Sequence, residues 1–269
     1  MKKIISIILV ITMLAATLVL SGCGTKGTTL SDVKKKGEIV IATAPDFPPF
    51  EDLSNDEGNV DGVVGIDIDI FKAIADKLGV KLVVKSMLFD SVLAGVTAGK
   101  YDIGASGISI KPDRQKNMLF TDPYCTASQV IVVKEGSTIK SKADLAGKKV
   151  SVQTGTTGES VCNEQGYNVN SYASNSDAEA ALATGKVDAW VIDDLTAAEM
   201  VAIYNAENTE KLVVLEESLS SDEYYAFIAS FGSESLVEEI NKILAELIAD
   251  GTIKQIFAKY GALYFAPAK

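Results

Sequence analysis

Three places in this 269-residue chain set polar side chains just beyond apolar, strand-like runs, which is where ligands sit on parallel α/β sheets. The first follows YDIGASG and reads ISIKPDRQKNMLFTDPY, so Ser109 and Arg114 stand on the loop beyond the strand and can bring a hydroxyl and a guanidinium to one anion. Arginine suits a carboxylate because its planar fork gives two parallel charge-assisted hydrogen bonds; taken alone, the same residue reads as an ordinary surface arginine. The second place is VQTGTTGES, where a strand ends at Gly155 and a helix starts among threonines. Thr156 or Thr157 can cap that helix while its free N–H groups and positive dipole end face an anion, although most threonines so placed only cap. The third is VDAWVIDDL, an apolar strand that ends in Asp193 and Asp194. A carboxylate there can neutralise an ammonium, and Asp194 can equally be the N-cap of the next helix. Gathered in one cleft, an arginine, a helix N-terminus and an aspartate make a receptor for a zwitterion.

Other chemistries find less support. GCGTKG at 22–27 satisfies G-x-G-x-x-G, yet no strand precedes it and no βαβ unit surrounds it, so it is not read as a dinucleotide site. No G-x-S-x-G, P-loop or zinc-ligand spacing occurs and there is no histidine; neither a cofactor nor a metal is expected. Cys125 and Cys162 lie in the body of the chain, and their spacing does not say whether they pair. The net charge of −11 repels a phosphate backbone and removes nucleic acid from the expected partners. With 47% hydrophobic residues the chain can bury a substantial core.

The elements that must position these residues follow from periodicity. EIVIAT, the helical run IDIFKAIADKLG, VKLVVKSM, the helical run SVLAGVTAGK and YDIGASG alternate strand and helix, the pattern of βαβ units. Ile70, Ile74 and Leu78, with Phe71 and Ala75 beside them, mark a buried helix face, and Gly79 stands where a C-cap glycine belongs. A second set begins near Ala127 with SQVIVVKE, a short helix at SKADLAG, KKVSVQTG, a helix from about Thr157 and GKVDAWVID. AGKYDI in the first set is echoed by TGKVDA in the second, 86 residues later, each a helix end, a turn and an entering strand. The stretch Leu236 to Tyr260 reads as a long amphipathic helix broken at Asp250-Gly251 that packs back on the first set.

At the amino terminus Lys2 and Lys3, the apolar run Ile4 to Leu20 and then Ser21-Gly22-Cys23 present a signal peptide in order. The apolar run is shorter than the roughly 20 residues that span a bilayer, so residues 1–22 are expected to be removed. LSGC resembles the lipobox of bacterial lipoproteins, which makes Cys23 the expected acylation site and 23–36 a lipidated tether. Loss of the two lysines takes the formal charge from −11 to −13.

At these residues the chain resembles the bacterial extracellular solute-binding proteins of family 3, which serve polar amino acid ABC transporters. The resemblance runs from about Gly37 to Tyr260 and rests on ATAPDFPPFE, VGIDIDIFKAIADKLGV, SIKPDR with FTDPY, DLAGKKVSVQTGTTGE and GKVDAWVID, in that order. It implies an α/β, two-lobed periplasmic-binding-protein fold (type II), each lobe a mainly parallel sheet flanked by helices, joined by two crossing strands. Residues 37–126 with 221–269 would form lobe one and residues 127–220 lobe two. The family's carboxylate-clamping arginine falls on Arg114, its hydroxyl donor on Ser109 and its backbone contact on Gly107. Its lobe-two anion contacts fall on Thr156 and Thr157, its ammonium-binding aspartate on Asp193, and its pocket aromatics on Phe47 and Phe89. Ala44 replaces an acidic residue common in the family and Lys111 a threonine, so contacts to a polar ligand side chain do not carry over there. The implied function is that of a lipid-anchored, extracytoplasmic monomer, not an enzyme, which captures a free amino acid by hinge closure and hands it to an ABC transporter permease. The alternatives are a dehydratase-like enzyme on the same scaffold and a ligand-sensing receptor module.

Overall fold

A computed structural model of the chain describes residues 27–267; the expected signal peptide and the Cys23 anchor lie outside them. The first element, α1 (Leu30–Lys36), starts in a capping box between Thr29 and Asp32 and stops at Gly37 in a left-handed conformation. Val33 on its inner face is buried, so this end of the expected tether is docked on the first lobe.

Strand β1 (Glu38–Thr43) leads into a small antiparallel sheet of β2 (Asp46–Phe47), β3 (Glu51–Leu53) and β4 (Val63–Val64). Helix α2 (Ile66–Leu78) follows, with Ile70, Phe71, Ile74, Ala75 and Leu78 buried and Gly79 closing it at φ 67°, as the spacing predicts. Next come β5 (Lys81–Ser86), α3 (Phe89–Thr97), β6 (Ile103–Gly104), the single turn α4 (Pro112–Gln115) and β7 (Leu119–Phe120). The second lobe carries β8 (Cys125–Lys134), β9 (Lys149–Gln153), α5 (Thr157–Glu164), β10 (Asn168–Tyr172), α6 (Asn175–Ala183), β11 (Ala189–Asp193), α7 (Asp194–Glu207) and β12 (Leu212–Tyr225). The chain returns through β13 (Ile228–Ala229), α8 (Glu234–Ala249) and α9 (Thr252–Lys259).

The two main sheets have the orders β5-β1-β6-β13-β7 and β10-β9-β11-β8-β12. Strand–helix alternation predicts mainly parallel sheets; each is instead mixed, with two parallel and two antiparallel pairings. The parallel pairings join strands linked through helices. The antiparallel ones involve β8, β12 and β13, on the segments that carry the chain between lobes, where no helical crossover imposes a parallel direction. The division expected at 126/127 and 220/221 falls inside β8 and β12.

The 86-residue echo has a structural counterpart. Asp102 N–H donates to Val40 O and its carboxylate accepts from Val40 N–H; Asp188 does the same with Lys149. Gly99 and Gly185 both adopt the left-handed conformation that ends the preceding helix. Each copy thereby locks an entering strand against its parallel neighbour. The amphipathic carboxyl-terminal stretch breaks at Gly251, as predicted, and α8 buries Leu236, Ile240, Ile243, Leu244 and Leu247, each such side chain contributing about 1.5–3 kcal/mol. Lys77–Glu246 and Lys259–Asp69 ion pairs clip α8 and α9 to α2. No helix among the described residues is long and apolar enough to cross a membrane.

Candidate functional site

The lobes meet around a cleft, and all eight candidate binding residues singled out above line it. Arg114 reaches it because Pro112 starts α4 at a position where a missing N–H costs nothing. Its guanidinium is buried, donates to Ser109 O at 2.8 Å and to Gly155 O in the other lobe at 2.9 Å, and lies over the Phe89 ring. Burial lowers the Arg114 pKa, and the facing carboxylates Asp113, Asp193 and Glu223 oppose the shift. Phe89, the first residue of α3, therefore forms wall and cation seat together.

Thr156 is the N-cap of α5: its hydroxyl accepts from Glu159 N–H and donates to Gln153 O, so the hydroxyl itself is engaged in capping. Thr157 Oγ1 accepts from Gln129 Nε2. Any anion contact from Thr156 therefore runs through its backbone N–H, whereas the Thr157 hydroxyl keeps its proton to donate; beside them Glu159 already accepts from Gly155 N–H.

Asp193 ends β11 and lies buried, accepting from Tyr225 OH at 2.6 Å and from Gln129 Nε2 at 2.9 Å. Burial, then the Glu223 carboxylate, push its pKa up to about 8. The N-cap of α7 expected at Asp194 falls instead on Asp193, which makes no side-chain cap bond, because β11 runs on to Asp193 and Asp194 is already the first helical residue. Asp194 bonds Leu195 N–H and Ser128 Oγ instead. Ser109 donates its hydroxyl to Glu223 Oε2 at 2.8 Å.

Phe47 stacks on Phe50 and its ring reaches within 2.5 Å of where a Cβ on residue 107 would stand; Gly107 itself has φ 51°. A side chain there is excluded by both space and backbone. Asp46 crosses the cleft: its Oδ2 accepts from Asn175 N–H, at the start of α6, at 2.7 Å and from Gln153 Nε2 at 3.3 Å. Lys111 also crosses, donating to Ser160 Oγ at 2.8 Å. Cys125 and Cys162 are buried free thiols; burial pushes the Cys162 pKa up to about 12.

Sequence reasoning missed Gln129, Gln153 and Glu223. Gln129 left one signal, a polar side chain inside the apolar run SQVIVVK. Glu223 left none, because it stands among the charged residues of a strand with register shifts.

The profile of the bacterial extracellular solute-binding proteins, family 3, matches residues 39–262. The chain belongs to this family. The arginine-binding extracellular protein ArtP of Bacillus subtilis (strain 168) is 30% identical over 248 residues, covering 91% of this chain and 93% of that protein. Among solved structures, a mutant of ArgBP from T. maritima is 36% identical with a TM-score of 0.79, covering 87% of this chain and 99% of that one. The ancestral amino acid-binding protein AncCDT-1, a precursor of cyclohexadienyl dehydratase, is 33% identical with a TM-score of 0.76 over 87% of this chain and 99% of its own. As a family 3 solute-binding protein the chain has the family's two-lobed fold.

Proposed function

We propose that this family 3 protein is the extracytoplasmic amino acid receptor of an ABC transporter, and that its ligand is an amino acid with a cationic side chain, of the arginine type. One observation carries the reading: Arg114 from one lobe and Asp193 from the other line a single cleft, a guanidinium and a carboxyl placed for the two ends of a zwitterion. Arg114 and the α5 backbone take the carboxylate, while Asp193 and the Gly107 carbonyl take the ammonium. Asp46 remains as an uncompensated carboxylate in the lining, with both of its carboxylate hydrogen bonds on Oδ2. Phe47 and Phe89 offer apolar surface for a methylene stem. The arginine-binding relative supports this class of ligand.

Residues 37–126 with 221–269 and residues 127–220 act as two bodies that close about β8 and β12, and closure presents the surface that the permease recognises. The protein works as a monomer held to the membrane by acylated Cys23, and it catalyses no reaction: ligand is captured and released unchanged. The dehydratase reading draws on the AncCDT-1 likeness and on the raised Asp193, which could hold a proton at neutral pH. Incubation with small hydroxy-carboxylates and amino acids followed by product analysis separates it from the receptor reading.

The deciding experiment is a thermal-shift screen of residues 24–269 against the amino acids, because a ligand that binds only the folded state stabilises it by about 4 kcal/mol at a thousand times Kd. L-Arginine is expected to raise Tm, and Arg114→Ala to abolish the rise. No response to any amino acid, or an undiminished response in Arg114→Ala, overturns the reading.

A further inference from the structure

Beneath the cleft two carboxyl groups are sealed from solvent. Glu51 on β3 and Asp67 in the first turn of α2 are both fully buried, and no ion pair among the described residues reaches either. Each grips one of two consecutive residues in the floor of the site. Ser106 donates its hydroxyl to Glu51 Oε1 at 2.8 Å while accepting from Ala44 N–H, and Gly107 N–H donates to Asp67 Oδ2 at 3.1 Å. Tyr124 OH donates to Asp67 Oδ1.

We propose that Glu51 and Asp67 are positioning residues of the ligand site, a buried carboxyl pair that keeps one proton and thereby fixes Ser106–Gly107 with the Gly107 carbonyl directed at the ligand. The role at the ligand rests on the zwitterion-receptor reading. Two bare carboxylates without a cation cannot both be ionised there at tolerable cost. Asp67 has two donors for its negative charge, whereas Glu51 has one and its Oε2 is buried with none, so the proton belongs on Glu51. The other ionisable groups acting on Glu51 are the carboxylates Asp46 and Asp52, which push the same way, and Tyr124 is raised rather than ionised beside Asp67. Burial raises Asp67 to about 7 and Glu51 well above the carboxylate range. With Gly107 N–H taken by Asp67, only the carbonyl remains for a ligand, and an acceptor is what an ammonium needs.

The test compares wild type with Glu51→Gln, which keeps the shape and the acceptor for Ser106 but cannot ionise, and Glu51→Ala, which removes both. In infrared difference spectra at pH 7 the wild type is expected to show the C=O stretch of a protonated carboxylic acid that Glu51→Gln lacks. The unfolded chain loses this proton near the ordinary value of 4.5 and the folded chain keeps it, so wild-type stability falls as pH rises above that value. Glu51→Gln loses the Glu51 share of the slope while the raised Asp67 and Asp193 keep theirs: it melts with the wild type at acid pH and about 3 °C or more above it at pH 8. In calorimetric titrations with L-arginine, Glu51→Gln binds within about threefold of wild type and Glu51→Ala about tenfold or more weaker, the loss expected for a buried hydrogen bond. Absence of the carboxylic band, a wild-type melting slope in Glu51→Gln, or equal weakening by both variants overturns the proposal. A wild-type chain that binds no amino acid overturns the receptor reading and the positioning role with it, while the infrared and melting results decide the proton-holding pair independently of ligand.

Discussion

Asp193 and Glu223 share a donor: Gln129 Nε2 stands 2.9 Å from one carboxylate and 3.4 Å from the other. With the lobes closed, burial and then the Glu223 carboxylate push the Asp193 pKa up to about 8, which favours the protonated carboxyl at pH 7. An ammonium docking on it favours the ionised form and drives the proton out. Ligand binding at pH 7 is therefore expected to release up to one proton. Affinity should rise between pH 6 and pH 8, because the empty site has ever less proton to lose. Calorimetry in buffers of different ionisation heats measures both, and proton uptake on binding would refute the assignment of Asp193 to the ammonium. Asp193→Asn should weaken binding by about a hundredfold, the cost of leaving an ammonium facing a neutral amide in a buried site. Arg114, Ser109 and Asp193 were legible as candidates from residue type and place at strand ends, Arg114 only in company with the others. Gln129 and Glu223 were not, because they reach the site from the strands that join the lobes.

At the scale of elements, the start of α2 controls the floor of the cleft. Gly65 has φ 139° and ψ 176°, and a Cβ there would lie 2.0 Å from Phe50 O. Its N–H donates to Tyr260 OH at 3.1 Å, so the same residue ties α2 to the carboxyl-terminal helices. Gly65→Ala combines a forbidden conformation with a backbone collision and should cost about 3 kcal/mol or more, read as a lower urea midpoint at unchanged slope. A cost below about 1 kcal/mol would mean that the Phe50–Gly65 approach is looser than described. The helix itself was plain in the sequence from its apolar spacing and its terminal Gly79. Its beginning was not: a Gly at the N-cap without a capping side chain is explained only by the β3 backbone that passes against it.

At the scale of the whole molecule, the contacts that hold the lobes closed around the cleft include Arg114 to Gly155 O, Asp46 to Asn175 N–H and Lys111 to Ser160 Oγ. Lys111 lies outside the lining of the ligand cleft, so its substitution probes closure without touching the ligand. Lys111→Met should raise the apparent Kd for L-arginine about two- to fivefold, the worth of one partly exposed charged hydrogen bond. The change should appear in the dissociation rate measured by stopped flow, with association nearly constant. An unchanged dissociation rate would remove Lys111 from the closure equilibrium.

The sequence by itself determined the alternation of strands and helices, the buried face of α2, the repeated helix end, turn and entering strand around Asp102 and Asp188, and the separate places of Arg114, Thr156 and Asp193. Each of these is written in local spacing, a period of two or 3.6 residues or a turn glycine at a fixed offset. Only the tertiary structure decided that the sheets are mixed, that Thr156 uses its hydroxyl as a cap, that Asp46 crosses to α6, and that Glu51 and Asp67 lie together beneath the cleft. These depend on which strands become neighbours and on hydrogen bonds between residues far apart in the chain, such as Asp46 with Asn175 or Ser109 with Glu223. Contacts of that kind leave no period in the sequence, because their geometry exists only once the two lobes have packed.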